Sequence, residues 1–431
     1  MVLAVFFTSA GRAQESFRAS IAGEEAAESQ RKETANLAYN LKLGALKLRF
    51  ASDLTVEASD NVNRLETKRT ADLSLRPAFD VTAMLPVTDR HTFVFTVGVG
   101  YAKYLRSKNL DHIFITPNST LSYDMYAGDF LINLHSRFTY TEEDYQQFEI
   151  SRTAEATVAG NGYFKNLSGA KVTWDLGKFQ FVLGLDHEFY QATKTNFEYQ
   201  NHSSELVAFS GAMQLNPTTY AGFQMGGGLT AYDRKPTFTN VTVITSTATN
   251  ITVVPLGTFL ANQVFYNFGP VFICRPTKHL KAVIYAGYTI YSSDGVSSFS
   301  AGKGGSTSAF YADFKLDHEL NHVLTYSVNL GRQIRLGVNS DTTDIIYTTL
   351  DLNWNLLRKV TLHTPIRYQH ETFGSTLSTE SDTYQTGLGA GYRLTESTYL
   401  NAHYNFTYVS SSVVGGSYYQ NQLVLDLRYT F

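Results

Sequence analysis

Among 431 residues there is one cysteine, Cys274. A lone thiol excludes an internal disulfide framework and any metal centre built from several cysteines. Long apolar runs are missing too. A membrane-crossing helix takes about 20 consecutive apolar residues, and the long uncharged stretch from Asn240 to Cys274 is broken by Thr, Asn, Gln and two prolines. Charge of one sign is also absent: 35 Lys and Arg stand against 38 Asp and Glu, a formal net charge of −3. With no dense basic run or helical basic face, a nucleic-acid partner is not expected.

What the chain does have is aromatic residues in alternation. It carries 28 Tyr, 29 Phe and 31 Gly beside only 9 Pro and 2 Trp, at a mean hydropathy of −0.17. The segment YYQNQLVLDLRYTF sets Tyr419, Leu423, Leu425, Leu427, Tyr429 and Phe431 on one face of a strand, with Gln420, Gln422, Asp426 and Arg428 on the other and Val424 as an exception. From Gly44 onward the same period recurs, as in Leu46-Leu48-Phe50, Phe93-Phe95-Val97, Phe179-Phe181-Leu183 and Leu324-Tyr326-Val328-Leu330. Tight turns near Asp89-Arg90, Gly128-Asp129, Gly177-Lys178, Asn216-Pro217, Pro276-Thr277, Leu320-Asn321, Leu357-Arg358 and Glu396-Ser397 alternate with long polar connections. This pattern predicts an all-β fold, a transmembrane antiparallel up-and-down β-barrel of about 18 strands with 16 as the alternative. Phe431 then marks the seam, its strand pairing with the one that begins near Gly44. The Thr- and Val-rich stretch 237–258 reads as an extracellular hairpin or an extra strand pair.

If the apolar face meets lipid, the other face lines the lumen. The charged residues predicted there are Lys47, Arg49, Asp53, Asp72, Arg76, Asp80, Arg137, Lys171, Asp175, Asp186, Glu188, Lys281, Asp313, Lys315, Asp351, Arg367, Arg393, Asp426 and Arg428. An unpaired charge facing lipid costs about 2–4 kcal/mol near the midplane, so confinement to one face supports the assignment. The third long connection, with Glu142, Glu143, Asp144 and Glu149, is a candidate acidic constriction loop. Inward tyrosines such as Tyr104, Tyr190, Tyr232, Tyr285, Tyr311 and Tyr347 either fill space or stack sugars, and filling space is the expected role.

Other motifs carry little chemistry. His318-Glu319-Leu320-Asn321-His322 has the zinc-protease spacing, but that motif needs a helix and here it straddles a turn. Gly302-Lys303-Gly304-Gly305 lacks the Ser or Thr and the strand-to-helix setting of a phosphate loop. Asp186-His187 and Asp111-His112 are strand neighbours, so their side chains diverge. No catalytic residue, metal site or cofactor is expected.

The start of the chain, MVLAVFFTSAGRAQES, reads as a signal-peptide remnant over 1–13, followed by a mixed, charged periplasmic leader over 14–42 and the barrel over 43–431. The opening strand, which ends Val56-Glu57-Ala58-Ser59-Asp60-Asn61-Val62-Asn63, resembles the putative β-barrel porin 2 group within the porin-like outer-membrane barrels. The closing strand resembles the signal read by the barrel-assembly machinery, carried by Tyr429 and Phe431 with Leu427 supporting, and departs from it in having Asp426 where Gly is usual. These resemblances imply a bacterial outer-membrane location, contact with lipid and lipopolysaccharide, and passive diffusion of small polar solutes or saccharides; homo-oligomers occur among such barrels. Two alternatives stay open: a barrel of an exopolysaccharide export system, and a closed-wall receptor or adhesin acting through its loops.

Overall fold

The computed structural model describes residues 39–116, 119–141, 162–233, 237–244, 249–256, 260–293, 306–336, 342–357, 359–374, 379–412 and 416–431. Its strands are β1 (Leu41–Leu43), β2 (Leu46–Ser59), β3 (Asp72–Thr88), β4 (His91–Tyr104), β5 (His112–Ile115), β6 (Thr120–Ala127), β7 (Phe130–Thr141), β8 (Tyr163–Asp175), β9 (Phe179–Ala192), β10 (His202–Asn216) and β11 (Thr219–Tyr232). Then come β12 (Thr237–Ile244), β13 (Thr249–Leu256), β14 (Gln263–Thr277), β15 (Leu280–Ser293), β16 (Ser306–Glu319), β17 (Leu324–Leu336), β18 (Thr342–Leu357), β19 (Val360–Gly374), β20 (Thr379–Arg393), β21 (Thr398–Ser411) and β22 (Tyr418–Thr430).

Each strand of the wall pairs antiparallel with its chain neighbour, and β22 returns to pair with β2, so the sheet closes. β5 and β6 together form one interrupted stave between β4 and β7, which makes eighteen staves. The interruption falls between Thr116 and Ser119. Here Thr116 donates its amide to the Gly98 carbonyl (2.9 Å), and the Gly98 amide is taken by Ser119 Oγ (3.1 Å). β12 and β13 form their own two-stranded sheet, the hairpin among the two readings of that stretch.

Alternation sorts the side chains. Large apolar residues such as Phe79, Leu134, Leu185, Met225, Phe268, Ile346, Leu388 and Leu425 project outward and are exposed, while inward positions are polar, small or covered by neighbouring rings. Rings gather toward the turn end of the outer face: Phe130 stacks on Trp174 at 5.4 Å and Phe431 meets Tyr429 at 5.0 Å. Tyr368, Tyr384 and Tyr408 line up across three strands nearer the loop end. The turns themselves are short. Gly128 and Gly177 take positive φ (62° and 77°), a conformation that costs glycine little.

The seam has a second component. β22 covers β2 from Ala51 to Ser59, and β1 folds back to cover Leu46 to Leu48. Residues 41–42, expected in the leader, are therefore paired with the wall. Asn40 joins the pieces: its Oδ1 accepts from the Phe50 amide (2.9 Å), and its Nδ2 donates to the Phe50 carbonyl (3.0 Å) and the Phe431 carbonyl (2.5 Å). At the other end, Asn61 is fully buried and donates to the Leu65 and Tyr419 carbonyls, while Asp60 accepts from both the backbone and side chain of Asn421.

Inside the wall, tyrosine and phenylalanine rings lie across glycines of adjacent strands. A Cβ on Gly331 would sit 2.6 Å from Tyr347 Cζ, whereas one on Gly184 would meet nothing nearer than 4.0 Å. We expect Gly331→Ala to lower stability by about 1–3 kcal/mol, as overpacking does, and Gly184→Ala to be near neutral. The temperature at which the folded band is lost on unheated detergent gels measures both.

Candidate pore-lining site

The inner face is where polar chemistry accumulates. Its charged side chains are held in cross-strand pairs, because period 2 puts same-face residues of neighbouring strands opposite one another. Across the seam, Arg428 on β22 reaches Asp53 on β2 (3.7 Å) and Asp80 on β3 (3.8 Å), with Arg49 interacting electrostatically with the same group. One step toward the loops, Arg76 Nη2 stands 3.3 Å from Glu57 and donates to the Tyr104 hydroxyl (2.6 Å), and Gln422 donates to Glu57 (2.9 Å). Asp426 accepts from Thr55 Oγ1 (2.6 Å) and lies 3.5 Å from His403.

The same construction continues around the wall. Arg367 on β19 lies 3.6 Å from Asp351 on β18. On β6 to β9, Asn133 donates to Asp124 (2.7 Å) and His135 Nε2 is 2.7 Å from Asp186. Nearer the loops Glu188 is buried between Lys165 (2.8 Å) and His202 (3.5 Å), beside a run of rings in which Tyr163, Tyr190, His202 and Tyr232 neighbour one another at 5.0–5.3 Å. Asp313 accepts from the Tyr347 hydroxyl. Lys171, opposite Asn133 and Gly184, and Arg137, opposite Thr120 and Leu167, share this inner face.

Some predicted residues sit at the ends instead. Asp175 accepts from the Gly177 amide (2.8 Å) and shapes the β8–β9 turn. Arg393 faces Tyr399, Lys281 faces Asp317, and Lys315 lies 3.7 Å from Asp317, all toward the turn end. Lys47 stands 5.5 Å from the Tyr39 ring. Asp72, at the loop end, gathers the amides of Leu73, Arg106 and Ser107 (2.8, 3.0 and 2.6 Å); these bonds outweigh the effect of burial and hold its carboxyl below the usual carboxylate range. Glu142, Glu143, Asp144 and Glu149 lie outside the described residues.

One arc of the inner face is different. From β10 to β16, Ala212, Val271, Ile273, Val283, Tyr285 and Tyr311 form a closed apolar patch. Tyr104, Tyr232, Tyr285, Tyr311 and Tyr347 are all buried, which fits rings that fill the wall. Sequence reasoning placed Tyr104 and Gln422 on the inner face without assigning them partners, and it missed Thr55 and Asn133, which carry no charge. Their parity with Arg76, Asp124 and Glu57 was the available signal. It also missed Glu371, which is fully buried and accepts from Gln369 toward the loop end of β19.

His318 and His322 bracket the β16–β17 turn, and His318 Nδ1 pairs with Tyr326 (3.0 Å), so the zinc-protease spacing lies on no helix. Among the described residues no helix is long and apolar enough to cross a membrane.

A closed eighteen-strand wall, apolar outside and polar inside, has the architecture of a porin-like, outer-membrane-type β-barrel. Within that class, residues 296–431 match the family described as "Putative beta-barrel porin 2". No curated protein matches the chain. Similar solved structures include the outer-membrane protein OpdK of Pseudomonas aeruginosa (9% identity, 89% of this chain and 99% of that one, TM-score 0.46). OccK2 of the same organism, solved with glucuronate, has 9% identity over 90% and 99% of the two chains (TM-score 0.49). OmpT of Vibrio cholerae has 15% identity over 91% and 100% (TM-score 0.38).

The Arg76–Glu57 pair yields a test. Removing one member of a buried pair strands the other charge, and removing both relieves that penalty. Arg76→Met should therefore destabilise the barrel more than the double variant Arg76→Met/Glu57→Gln, as read by urea unfolding in lipid vesicles.

Proposed function

We propose that this barrel is a passive diffusion channel for small hydrophilic solutes. The observation that carries the reading is the division of the wall: charged and amide side chains on the inner face, held by one another across strands, against an exterior of exposed large apolar residues. A polar lining replaces part of the hydration that a solute gives up on entering, and opposed charges leave no strong net field to trap an ion. Arg76, Arg137, Arg367 and Arg428 would attract anions and Asp53, Asp80, Asp186 and Asp351 cations, so selectivity follows from which of them a passing solute meets.

Leu427, Tyr429 and Phe431 are exposed on the outer face of β22, which supports their role as the signal for the barrel-assembly machinery. The surrounding apolar surface suits lipid and lipopolysaccharide.

In a planar bilayer the purified protein should give discrete conductance steps. Replacing Arg137 and Arg367 by Glu should shift the reversal potential in a salt gradient toward cation preference. A protein that inserts, folds and gives no steps is a sealed barrel and would sink the reading.

A further inference from the structure

Two of the long connections are tied down by their own hydrogen bonds. The first joins β2 to β3 over residues 60–71, and the second joins β4 to β5 over residues 105–111. In the first, Asn61 is fully buried; its Oδ1 accepts from the Leu65 amide (3.2 Å) and its Nδ2 donates to the Leu65 carbonyl (3.0 Å). Asn63 closes the same loop, donating to the Lys68 carbonyl (2.9 Å) and accepting from the Thr70 amide (3.1 Å), and the Val62 amide donates to the Thr70 carbonyl (2.9 Å). The second connection is a single tight turn, Lys108–Leu110, in which the Leu110 amide donates to the Ser107 carbonyl (2.8 Å) and Asp111 accepts from the Tyr104 amide (2.7 Å). Asp72, where the first connection ends, joins the two by accepting from the amides of Arg106 (3.0 Å) and Ser107 (2.6 Å).

Both connections lean over the lumen. Tyr101 and Ile113 are exposed outside, so their strand neighbours Ala102 and Phe114, together with Tyr104, face inward, where all three are buried. Val62 of the first connection and Leu110 of the second pack against these three residues. Each gives up water in doing so, which holds a polar connection down on the inner side of the rim. The two connections thus make one shelf at the loop-end mouth over β2 to β5.

Charge on this shelf is uneven. Three of its acids are engaged: Asp60 accepts from the backbone and side chain of Asn421 (2.8 and 2.6 Å), Asp72 from backbone amides, and Asp111 pairs with Lys103. Arg69 lies over the Tyr419 ring (3.3 Å) on the outer side. Lys68, Arg106 and Lys108 are exposed, with Glu66 as the exposed acid among them.

We infer that the first and second connections form a cationic constriction at the mouth of the channel, which biases entry toward small anions. A charge held on a bonded shelf acts from a set position, so each passing ion meets it. Its reach is about 10 Å in 0.1 M salt and about 3 Å in 1 M salt, so the bias belongs to dilute solution. The paired charges of the wall below then pass the ion on without trapping it. The narrowing carries the opposite sign to the acidic one expected of the third connection.

This rests on the channel reading, and a label of chosen charge separates the two. In a Cys274→Ser background, Lys108→Cys sets one thiol on the shelf, and the same folded protein accepts either a sulfonate-bearing or a trimethylammonium-bearing methanethiosulfonate. In 0.1 M salt the ratio of anion to cation permeability should be about threefold lower with the negative label than with the positive one, and the two should converge in 1 M salt. Reductant should restore the unlabelled value. A bulky polyethylene glycol maleimide on the same thiol should cut the conductance step. If Lys108→Cys impairs folding, as judged by gel mobility, Arg106→Cys replaces it. Complete labelling, verified by mass, that leaves the ratio in 0.1 M salt unchanged overturns the inference, as does a step indifferent to the bulky label. A folded barrel that gives no steps before or after labelling overturns the channel reading beneath it.

Discussion

Every backbone amide and carbonyl that faces hydrocarbon needs a partner within the protein, and the rest of this structure follows from that requirement. An open sheet would leave two edges unpaired in a medium that offers no replacement. Closure of β22 on β2 removes both. The seam is correspondingly well furnished: backbone pairing from Ala51 to Ser59, the short strand β1 over the remaining stretch of β2, and side chains of Asn40, Asp60, Asn61 and Asn421 bonding across the ends where the two long strands run out of each other's reach.

Closure also decides where charge can go. With lipid outside, ionised side chains are confined to the inner face or to the wall ends, as with His279 beside Glu319 at a turn and Arg332 beside Asp344 near a loop. Once gathered inside, carboxylates and cations of adjacent strands necessarily face one another, and the lumen becomes a lattice of short local pairs. Tyrosine rings laid over glycines take up the remaining space and stiffen the curve of the wall without adding charge.

Much of this was legible because period 2 is nearly all a membrane strand requires. The strand count, the alternation of short turns with long connections and the seam could be read directly. Partners were harder: that Arg76 would choose Glu57 and Tyr104 depends on register, and register is fixed by pairing across the sheet. The break between Thr116 and Ser119 leaves no mark in the pattern, because the apolar period of Ile113 and Ile115 resumes in phase at Leu121 and Tyr123. At β17 the geometry departs from the period, since Ile334, in phase with the exposed Leu330, is buried against Phe265 and Tyr291. The end of the leader was assigned by charge, which gives no hint that Asn40 would bond to Phe431.

Asn40 and Phe431 are separated by 391 positions along the chain. A polypeptide emerging from its start can build hairpin after hairpin, yet none of them relieves the edge of β2 until β22 has been made and brought around. Up to that moment the chain is a curved sheet with two adhesive borders and an apolar surface, as ready to join a stranger as itself. Escort to the membrane and a protected place in which to meet its own far end are thus demands set by the topology, and they fall due before any solute can cross.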